Sequence, residues 1–298
     1  MKAVLELRNL PQQARSLQGI SKRIEDTTGN VNRLLAIGQI ANHLRETILA
    51  SELRLEPHGF KVSSQNDEDG ILKEIFTRIG VSRRTFVEFG VGNGYENNTC
   101  YLLGSGWSGI WIDGALENHE FHQLHFGWAI RSGVLKTVQS FLTVENINAV
   151  IAEAGTSGEI DLLSIDVDGN DFHLWEAVQV IDPRVVVIEY NAYAAPPIKW
   201  VMSYDPLYRW DGESNYFGSS LASLHELGSA KGYTLVACNI TGLNAFFVRN
   251  DLVEDKFPKS DNPLDLYHPR RWWLDAGFIS GVIDQSRPFV SGARPRDS

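Results

Sequence analysis

The sequence predicts an α/β fold built on a mostly parallel, seven-stranded sheet that ends in an antiparallel hairpin. Three observations support this prediction. Five short apolar runs are separated by segments long enough for helical crossovers, as parallel strand pairing requires. Two later runs are joined by only a short turn, which indicates a hairpin. Ahead of the first strand, apolar residues recur with helical spacing and predict an additional helical extension.

The helical extension is expected over residues 1–58. Its apolar stripe has alternating spacings of three and four residues and consists of Leu34, Ile37, Ala41, Leu44 and Ile48. A break in the helix is expected at Gly29–Asn30. The stripe has two interpretations. It either joins two copies of the chain, which predicts a homo-oligomer, or covers the main domain's own sheet.

The main domain is expected over residues 59–285, and residues 286–298 are expected to form a flexible tail. A helix is predicted over Ser64–Arg78, because its apolar residues share one face. Strongly apolar runs are typical of strands that are buried on both faces of a sheet. The predicted strands are Thr85–Phe89, Gly109–Ile112, Val134–Val138, Leu162–Ile165, Val185–Ile188, Tyr233–Ile240 and Asn244–Val248.

The bulk composition limits the possible partners and locations. A net charge of -10 argues against a nucleic-acid binder, because phosphate contacts require a positive face. Cys100 and Cys238 have no disulfide or metal-ligand pattern. The sequence has neither a signal-peptide pattern nor an apolar run long enough to cross a membrane, so we expect a cytoplasmic protein.

A glycine-rich turn follows the first predicted strand. Glu88 stands two residues before Gly90, and Gly92, Asn93 and Gly94 complete the turn. Glycine adopts positive φ without steric cost and lets backbone N–H groups approach a ligand. The Gly-x-Gly-x-Gly spacing differs from the dinucleotide-binding Gly-x-Gly-x-x-Gly pattern. The turn is therefore predicted to hold a cofactor other than a dinucleotide.

An acid ends the next predicted strand. Asp113 lies nineteen residues after Gly94, where a carboxylate can accept hydrogen bonds from both ribose hydroxyls. Together with Glu88 and the glycine turn, it predicts S-adenosylmethionine as the cofactor. The alternative interpretation is an ordinary glycine turn and an unrelated aspartate.

Acidic side chains follow the fourth and fifth predicted strands. The ends of parallel strands meet at one edge of the sheet, so these carboxylates are expected to converge and repel one another. A hard cation, Mg²⁺ or Mn²⁺, would relieve that repulsion. The acidic residues are Asp166, Asp168, Asp171 and Glu189, and the amide residue Asn191 follows the fifth strand as well.

Two other roles are open for this acidic region. One carboxylate could act as a general base for a substrate hydroxyl group without a metal. Asp171 could instead cap the helix that follows it, and Asp168 with Gly169 could form an ordinary turn.

The segment after the fifth strand is rich in aromatic residues. Aromatic faces combined with polar groups suit a sugar, and a long loop inside a compact domain is often functional, so a substrate lid is expected. Packing over the core is the alternative. The aromatic residues are Trp200, Tyr204, Tyr208, Trp210, Tyr216 and Phe217. His119, His122 and His125 recur every three residues and are interpreted as solvated or capping side chains rather than a zinc site.

Several motifs between residues 60 and 250 resemble those of FkbM-type methyltransferases, especially a bacterial branch associated with surface polysaccharides. The main matching segments are Ser64-Gln-Asn-Asp-Glu-Asp-Gly-Ile, Phe86-Val-Glu-Phe-Gly-Val-Gly-Asn-Gly, Leu163-Ser-Ile-Asp-Val-Asp-Gly-Asn-Asp and Val187-Ile-Glu-Tyr-Asn. The resemblance implies a Class I methyltransferase (Rossmann-like) fold, S-adenosylmethionine as cofactor, and O-methylation of a sugar hydroxyl on a glycan or glycan precursor.

The resemblance also implies roles for single residues. The residues implied to serve the cofactor are Glu88, Gly90, Gly92 and Asp113, with Gln65 contacting the methionine end. The resemblance to metal-dependent relatives implies Asp166 or Asp168, Glu189 and Asn191 as metal ligands. Those relatives usually have Lys or His three residues after the first ligand, whereas this chain has Asp171 or Gly169. The base is therefore left open between Asp171, His173 and a metal-bound hydroxide. Methylation of a small metabolite or a protein side chain, and a non-catalytic scaffold, are the alternative functions.

Overall fold

A computed structural model describes the backbone of residues 2–271; within the first helix it describes the side chains of residues 22–24, 27–29 and 31 onward. Helix α1, Lys2–Ala50, is continuous over 49 residues. The predicted break at Gly29–Asn30 is therefore wrong, because one glycine inside a helix costs only about 1 kcal/mol. The predicted tail over residues 286–298 lies outside the described residues.

The rest of the chain alternates between strands and helices. The strands are β1 Thr85–Phe89, β2 Ser108–Asp113, β3 Leu135–Gln139, β4 Gly158–Ile165, β5 Ile181–Glu189, β6 Tyr233–Cys238 and β7 Asn244–Arg249. The helices are α2 Glu68–Ile79, α3 Cys100–Gly104, α4 Leu116–His125, α5 Gly127–Arg131, α6 Ile147–Glu153, α7 Asp171–Ala177, α8 Leu221–Ala230 and α9 Asn250–Val253. Two short 3-10 helices cover Glu56–His58 and Pro263–Asp265.

All seven strands form one sheet with the order β3-β2-β1-β4-β5-β7-β6. Strands β1 to β5 are parallel, and β7 runs antiparallel to both β5 and β6. This arrangement confirms the predicted Class I, Rossmann-like fold. Phe89 is in register with Ile112 on one side and Ile165 on the other, so β1, β2 and β4 end at nearly the same level. The loops that leave these strands therefore meet at one edge.

Both faces of the sheet are buried, as the apolar runs predict. Val186 of β5 packs in the core layer that contains Trp175 of α7 and Leu224 of α8. Its neighbour Val187 faces the opposite layer, which contains Ile75 of α2. Successive side chains of a strand point to opposite faces, so a strand covered on both sides must be apolar throughout.

Helix α2 begins at Glu68, four residues later than predicted. The preceding segment turns instead, because the Asp69 carboxylate accepts hydrogen bonds from the backbone N–H groups of Val62, Ser63 and Ser64 at 2.7, 2.7 and 3.0 Å. A side chain that satisfies several backbone donors competes with helix formation. The segment that contains this turn also forms one wall of the candidate active site.

The apolar stripe predicted in α1 does not pack against the sheet. Leu34, Ile37 and Ile48 are 69%, 60% and 53% exposed, whereas Ala36 and Thr47 on another face of the helix are buried. Among the described residues, no helix has both the length and the apolar character needed to cross a bilayer.

Candidate active site

The loop after β1 is shaped by close contacts at its two outer glycines. At Gly90, where φ is +72°, an added Cβ atom would lie 1.6 Å from the backbone oxygen of Asp166. At Gly94, an added Cβ would lie 2.8 Å from the Trp111 ring. Only glycine fits where this loop crosses β4 and β2.

Glu88 at the end of β1 is buried beneath this loop. Its carboxylate accepts hydrogen bonds from Asn98 N at 3.0 Å, from Ser164 Oγ at 3.0 Å and from Thr99 Oγ1. Burial raises the pKa of Glu88 to about 7, against the effect of these hydrogen bonds. Glu88, which was predicted to contact the cofactor, therefore holds the start of α3 in place. It does not line the cavity beside this loop.

Asp113 at the end of β2 contacts the same loop. Its Oδ2 accepts a hydrogen bond from Gly92 N at 2.8 Å, and its Oδ1 accepts from Ala115 N at 2.8 Å and Asn118 Nδ2 at 3.0 Å. A carboxylate offers about four acceptor sites, so this arrangement leaves room for a ribose hydroxyl. Asn93 uses its side-chain oxygen to accept from Tyr95 N at 2.9 Å.

The sequence interpretation missed His122. This side chain of α4 is buried rather than solvated, and its Nε2 atom lies 2.8 Å from the carbonyl oxygen of Gly92. Burial lowers its pKa, so the ring is neutral near neutral pH and donates from Nε2. The three-residue spacing of the histidines placed them near one helical face, but it did not indicate which one would pack under the loop.

A cavity of about 860 Å³ opens beside the loop. The predicted residues that line it are Gln65, Gly90, Asp166, Asp168 and Glu189. Gly92, Gly94 and Asp113 lie toward β2 and do not line it. The cavity thus joins one glycine of the loop after β1 to the acidic ends of β4 and β5.

Three carboxylates that line this cavity lie close together, and we call Asp166, Asp168 and Glu189 the acidic trio. One oxygen from each lies within 4.8 Å of the others. Burial and the charge of Asp168 raise the pKa of Asp166 well above its ordinary value. Burial and the charge of Asp166 do the same for Glu189, while burial and Asp171 raise the pKa of Asp168 to about 6.

The acidic trio fits a hard divalent cation. Oxygen ligands from several carboxylates are the donor set that Mg²⁺ and Mn²⁺ prefer. The Oε2 atom of Glu189 is buried and accepts no hydrogen bond from the described part of the chain. A cation held by the trio would satisfy that oxygen and offset the mutual repulsion.

Asn191, the fourth predicted metal ligand, has a different position. Its side-chain amide donates to the carbonyl oxygens of Asn215 at 2.9 Å and Phe217 at 3.0 Å, and its Oδ1 accepts from Tyr193 N at 3.2 Å. It holds the aromatic segment against the end of β5 and does not line the cavity.

Asp171 and His173, two of the predicted catalytic residues, are also engaged elsewhere. The Asp171 carboxylate accepts from Val167 N at 2.8 Å and Gly169 N at 2.9 Å, so it holds the turn ahead of α7 and does not cap the helix as the capping alternative expected. His173 Nε2 lies 2.9 Å from the carbonyl oxygen of Met202. Neither residue lines the cavity, whereas Asp166 and Asp168 do.

The aromatic segment between β5 and α8 combines packing with cavity formation. Trp200 and Met202 are buried in a small core of their own, with Tyr216 packed against it. Trp210 and Phe217 instead line the cavity, with ring centroids 5.8 Å apart. Packing therefore accounts for Trp200 and Tyr216, whereas the substrate lid stays a prediction for Trp210 and Phe217.

No family model and no curated protein matches this chain. Solved structures with a similar fold include an O-methyltransferase from Bacillus cereus in complex with SAH (15% identity, 70% of this chain and 89% of that chain, TM-score 0.40). An S-adenosylmethionine-dependent methyltransferase from Clostridium acetobutylicum (8% identity, 60% and 89%, TM-score 0.37) is another.

A methyltransferase-fold protein from Galdieria sulphuraria is also similar (14% identity, 56% of this chain and 61% of that chain, TM-score 0.37). The chain thus spans less than two thirds of the length of the Galdieria protein. The strand order, the parallel and antiparallel pairing and the glycine loop after β1 assign the chain to the Class I methyltransferase fold.

Proposed function

We propose that this protein transfers the methyl group of S-adenosylmethionine to an acceptor hydroxyl group. The observation that carries the proposal is that Gly90, in the loop after β1, and the acidic trio line the same cavity. Methyl transfer requires the donor and the acceptor oxygen to be held in line, and one cavity that reaches both groups can do this. Asp113, at the end of β2, supports a cofactor with a ribose.

The proposed acceptor is a sugar of a glycan or glycan precursor. Tyr193, Trp210 and Phe217 line the cavity together with the acidic trio. Aromatic rings stack on the apolar face of a pyranose, while carboxylates accept hydrogen bonds from its hydroxyl groups. The resemblance of the sequence motifs to FkbM-type methyltransferases supports the same acceptor class.

The acidic trio has two roles in the proposed reaction. Asp166, Asp168 and Glu189 would hold a divalent cation, which when bound supplies Lewis-acid polarisation of acceptor hydroxyl groups. The same carboxylates orient the acceptor through hydrogen bonds and withdraw its proton from the reacting oxygen. Asp171 supports them indirectly, because it binds the backbone on both sides of Asp168.

The test has a binding part and a transfer part. Calorimetry is expected to detect binding of S-adenosylmethionine to the protein. Transfer of its labelled methyl group is then measured on a panel of nucleotide sugars, oligosaccharides, small metabolites and peptides. Glu189→Gln is expected to lower transfer by roughly 100-fold or more, as loss of a proton acceptor does. Glu213→Gln, an exposed acid outside the cavity lining, serves as the matched control.

Different results would contradict different parts of the proposal. Binding of NAD in place of S-adenosylmethionine would refute the cofactor assignment. Transfer to a metabolite or peptide, but to no sugar, would replace the acceptor class. Cofactor binding together with unchanged transfer in Glu189→Gln would remove the acidic trio from the chemistry.

A further inference from the structure

Asp67 lines the cavity outside the acidic trio and has no role in the proposed methyl transfer. The Oδ1 atom of Asp67 is buried and accepts no hydrogen bond from the residues that the structure describes. Its Oδ2 atom accepts one long bond, 3.5 Å from Ile240 N. A carboxylate oxygen enclosed in this way is costly unless a ligand donates to it.

The loop that carries Asp67 is fixed by its neighbours on both sides. Besides the three bonds from the loop to Asp69, Glu68 accepts from Asn66 N at 2.7 Å and from the Asn244 side chain at 2.9 Å. At Gly59 an added Cβ would lie only 2.8 Å from Asp67 Cβ. The Asp67 carboxylate therefore has a defined position before any ligand binds.

A positive group lines the same cavity at the start of this loop. The Lys61 ammonium group donates to the carbonyl oxygen of Gln65 at 2.7 Å and lies 3.6 Å from the Glu96 carboxylate. Within seven residues the loop thus presents one cation and one unsatisfied carboxylate to a cavity that Gly90 also lines. This pair of charges is complementary to a zwitterion.

We propose that Lys61 and Asp67 bind the zwitterionic amino-acid end of the cofactor. Asp67 accepts hydrogen bonds from the α-ammonium group, and Lys61 donates to the α-carboxylate. The inference rests on the proposed function, since S-adenosylmethionine is the ligand concerned. Its sulfonium group attracts a carboxylate but has no hydrogen to donate, whereas the ammonium group has three donors. Of these two positive groups, only the ammonium group can donate to the buried Oδ1 atom of Asp67.

Two cofactor analogues separate this contact from the rest of the binding site. S-adenosylhomocysteine carries the amino-acid end, and 5′-methylthioadenosine lacks it. In calorimetry, Asp67→Asn is expected to weaken S-adenosylhomocysteine binding by roughly 10- to 100-fold, as for loss of a charge-assisted hydrogen bond, and to leave methylthioadenosine binding unchanged.

A second variant tests the other half of the pair. Lys61→Gln is expected to weaken only S-adenosylhomocysteine binding, and by less, because this lysine is half exposed. Lys73→Gln is the matched control, since Lys73 lies over the Phe60 ring and does not line the cavity. It is expected to change neither affinity.

Proton release gives an independent readout. Burial and the charge of Glu68 raise the pKa of Asp67 to about 7, with a smaller contribution from Glu56. An ammonium ligand favours the ionised carboxylate, so wild-type protein should release about half a proton at pH 7 when S-adenosylhomocysteine binds. Calorimetry in buffers with different ionisation enthalpies measures this release, which Asp67→Asn should abolish and methylthioadenosine should not cause.

The outcomes that overturn the inference differ from those that overturn the function. If Asp67→Asn weakens both ligands equally, or neither, the ammonium contact is wrong. Binding of methylthioadenosine by the variant shows that the variant is folded, so loss of structure cannot imitate the expected result. If wild-type protein binds neither ligand, the proposed function fails instead.

Discussion

Gly90 is the residue at which the backbone geometry of the site is most restricted. The loop after β1 and the backbone at the end of β4 touch there, and no space exists for a Cβ atom beside Asp166. We expect Gly90→Ala to destabilise the protein by about 1–3 kcal/mol and to abolish detectable cofactor binding. Thermal unfolding and calorimetry with S-adenosylhomocysteine measure the two effects.

Gly104→Ala is the control for this substitution. An added Cβ at Gly104 meets no atom within 4 Å, and this residue ends helix α3. Its stability should change by less than about 1 kcal/mol, with cofactor affinity retained. Wild-type affinity in Gly90→Ala would show that the close approach of the loop to β4 has no part in binding.

The acidic trio makes stability depend on pH. Burial and neighbouring charges raise the pKa of Asp168 to about 6 and that of Glu189 well above its ordinary value. A group whose pKa is higher in the folded than in the unfolded state contributes stability at low pH that is lost as pH rises through the folded pKa. We therefore expect cation-free protein to lose part of this contribution between about pH 5 and about pH 8.

A divalent cation should offset that loss of stability. Mg²⁺ or Mn²⁺ is expected to raise the melting temperature at about pH 8, because a ligand that binds only the folded state stabilises it. Glu189→Gln should reduce both the pH dependence and the response to the cation, while Glu213→Gln should keep them. An identical melting temperature of the wild-type protein in Mg²⁺ and in EDTA would contradict the metal role of the trio.

At the scale of elements, a buried polar cluster holds α1 against the residues around Glu56 and His268. His268 Nε2 lies 3.2 Å from Glu56 Oε1, and the His43 ring lies edge-on to His268 with centroids 4.8 Å apart. Burial opposes ionisation of Glu56, but hydrogen bonds from His268 and the charge of Arg54 hold its pKa at about 2. Burial lowers the pKa of both histidines, aided at each by the charge of Arg271.

This cluster predicts that α1 loosens in acid. Because the folded-state pKa of each histidine lies below its unfolded value, its contribution to stability is complete above about pH 6.5 and is lost as pH falls through the folded pKa. Protonation would also add cations beside Arg54 and Arg271. Hydrogen exchange of residues 36–47 should therefore accelerate in acid relative to α2, after correction for the intrinsic pH dependence of exchange.

His43→Phe should weaken this effect, since phenylalanine keeps a ring against His268 but cannot take up a proton. If α1 of the wild-type protein is equally protected from hydrogen exchange in acid and at neutral pH, the cluster does not control how α1 is docked.

At the scale of the whole molecule, the exposed stripe of α1 supports self-association, which we propose as its role. Leu34, Ile37 and Ile48 remain mostly exposed although their spacing is that of a coiled-coil seam. The double substitution Leu34→Asp with Ile37→Asp should shift the protein to monomers in sedimentation velocity. Gln39→Asp, an exposed site on the same helix, should not. A monomeric wild-type protein across the concentration range would rule out this role.

The cavity is also a property of the whole molecule. Ile40 and Leu44 of α1 line it together with Glu56, Thr241 of the turn between β6 and β7, and Arg270 near the end of the described chain. Helix α1 thus forms part of the site as well as an extension of the domain. The stripe could be predicted from spacing, but the inward position of Leu44, one of its members, and of Ile40 could not, because only tertiary packing decides which residues of the helix meet the cavity.

The sequence alone determined the strands, the sheet class and the acids that meet at one edge of the sheet. Apolar runs of this kind are dictated by burial on both faces, and a glycine loop or an acid at a strand end is a local requirement. These features depend on neighbours along the chain. Asp166, Asp168 and Glu189 could therefore be predicted to meet, since parallel strands bring their ends to one edge.

Only the tertiary structure decided which polar residues face the cavity. Asp171 and Asn191 have the residue types of catalytic or metal-binding groups, but backbone groups of distant or adjacent loops satisfy them. His122 was interpreted as solvated or capping and Asp67 was given no role, yet one supports the glycine loop and the other is left with an unsatisfied oxygen. Whether a polar atom has a partner depends on every segment packed around it, and spacing along the chain does not encode that.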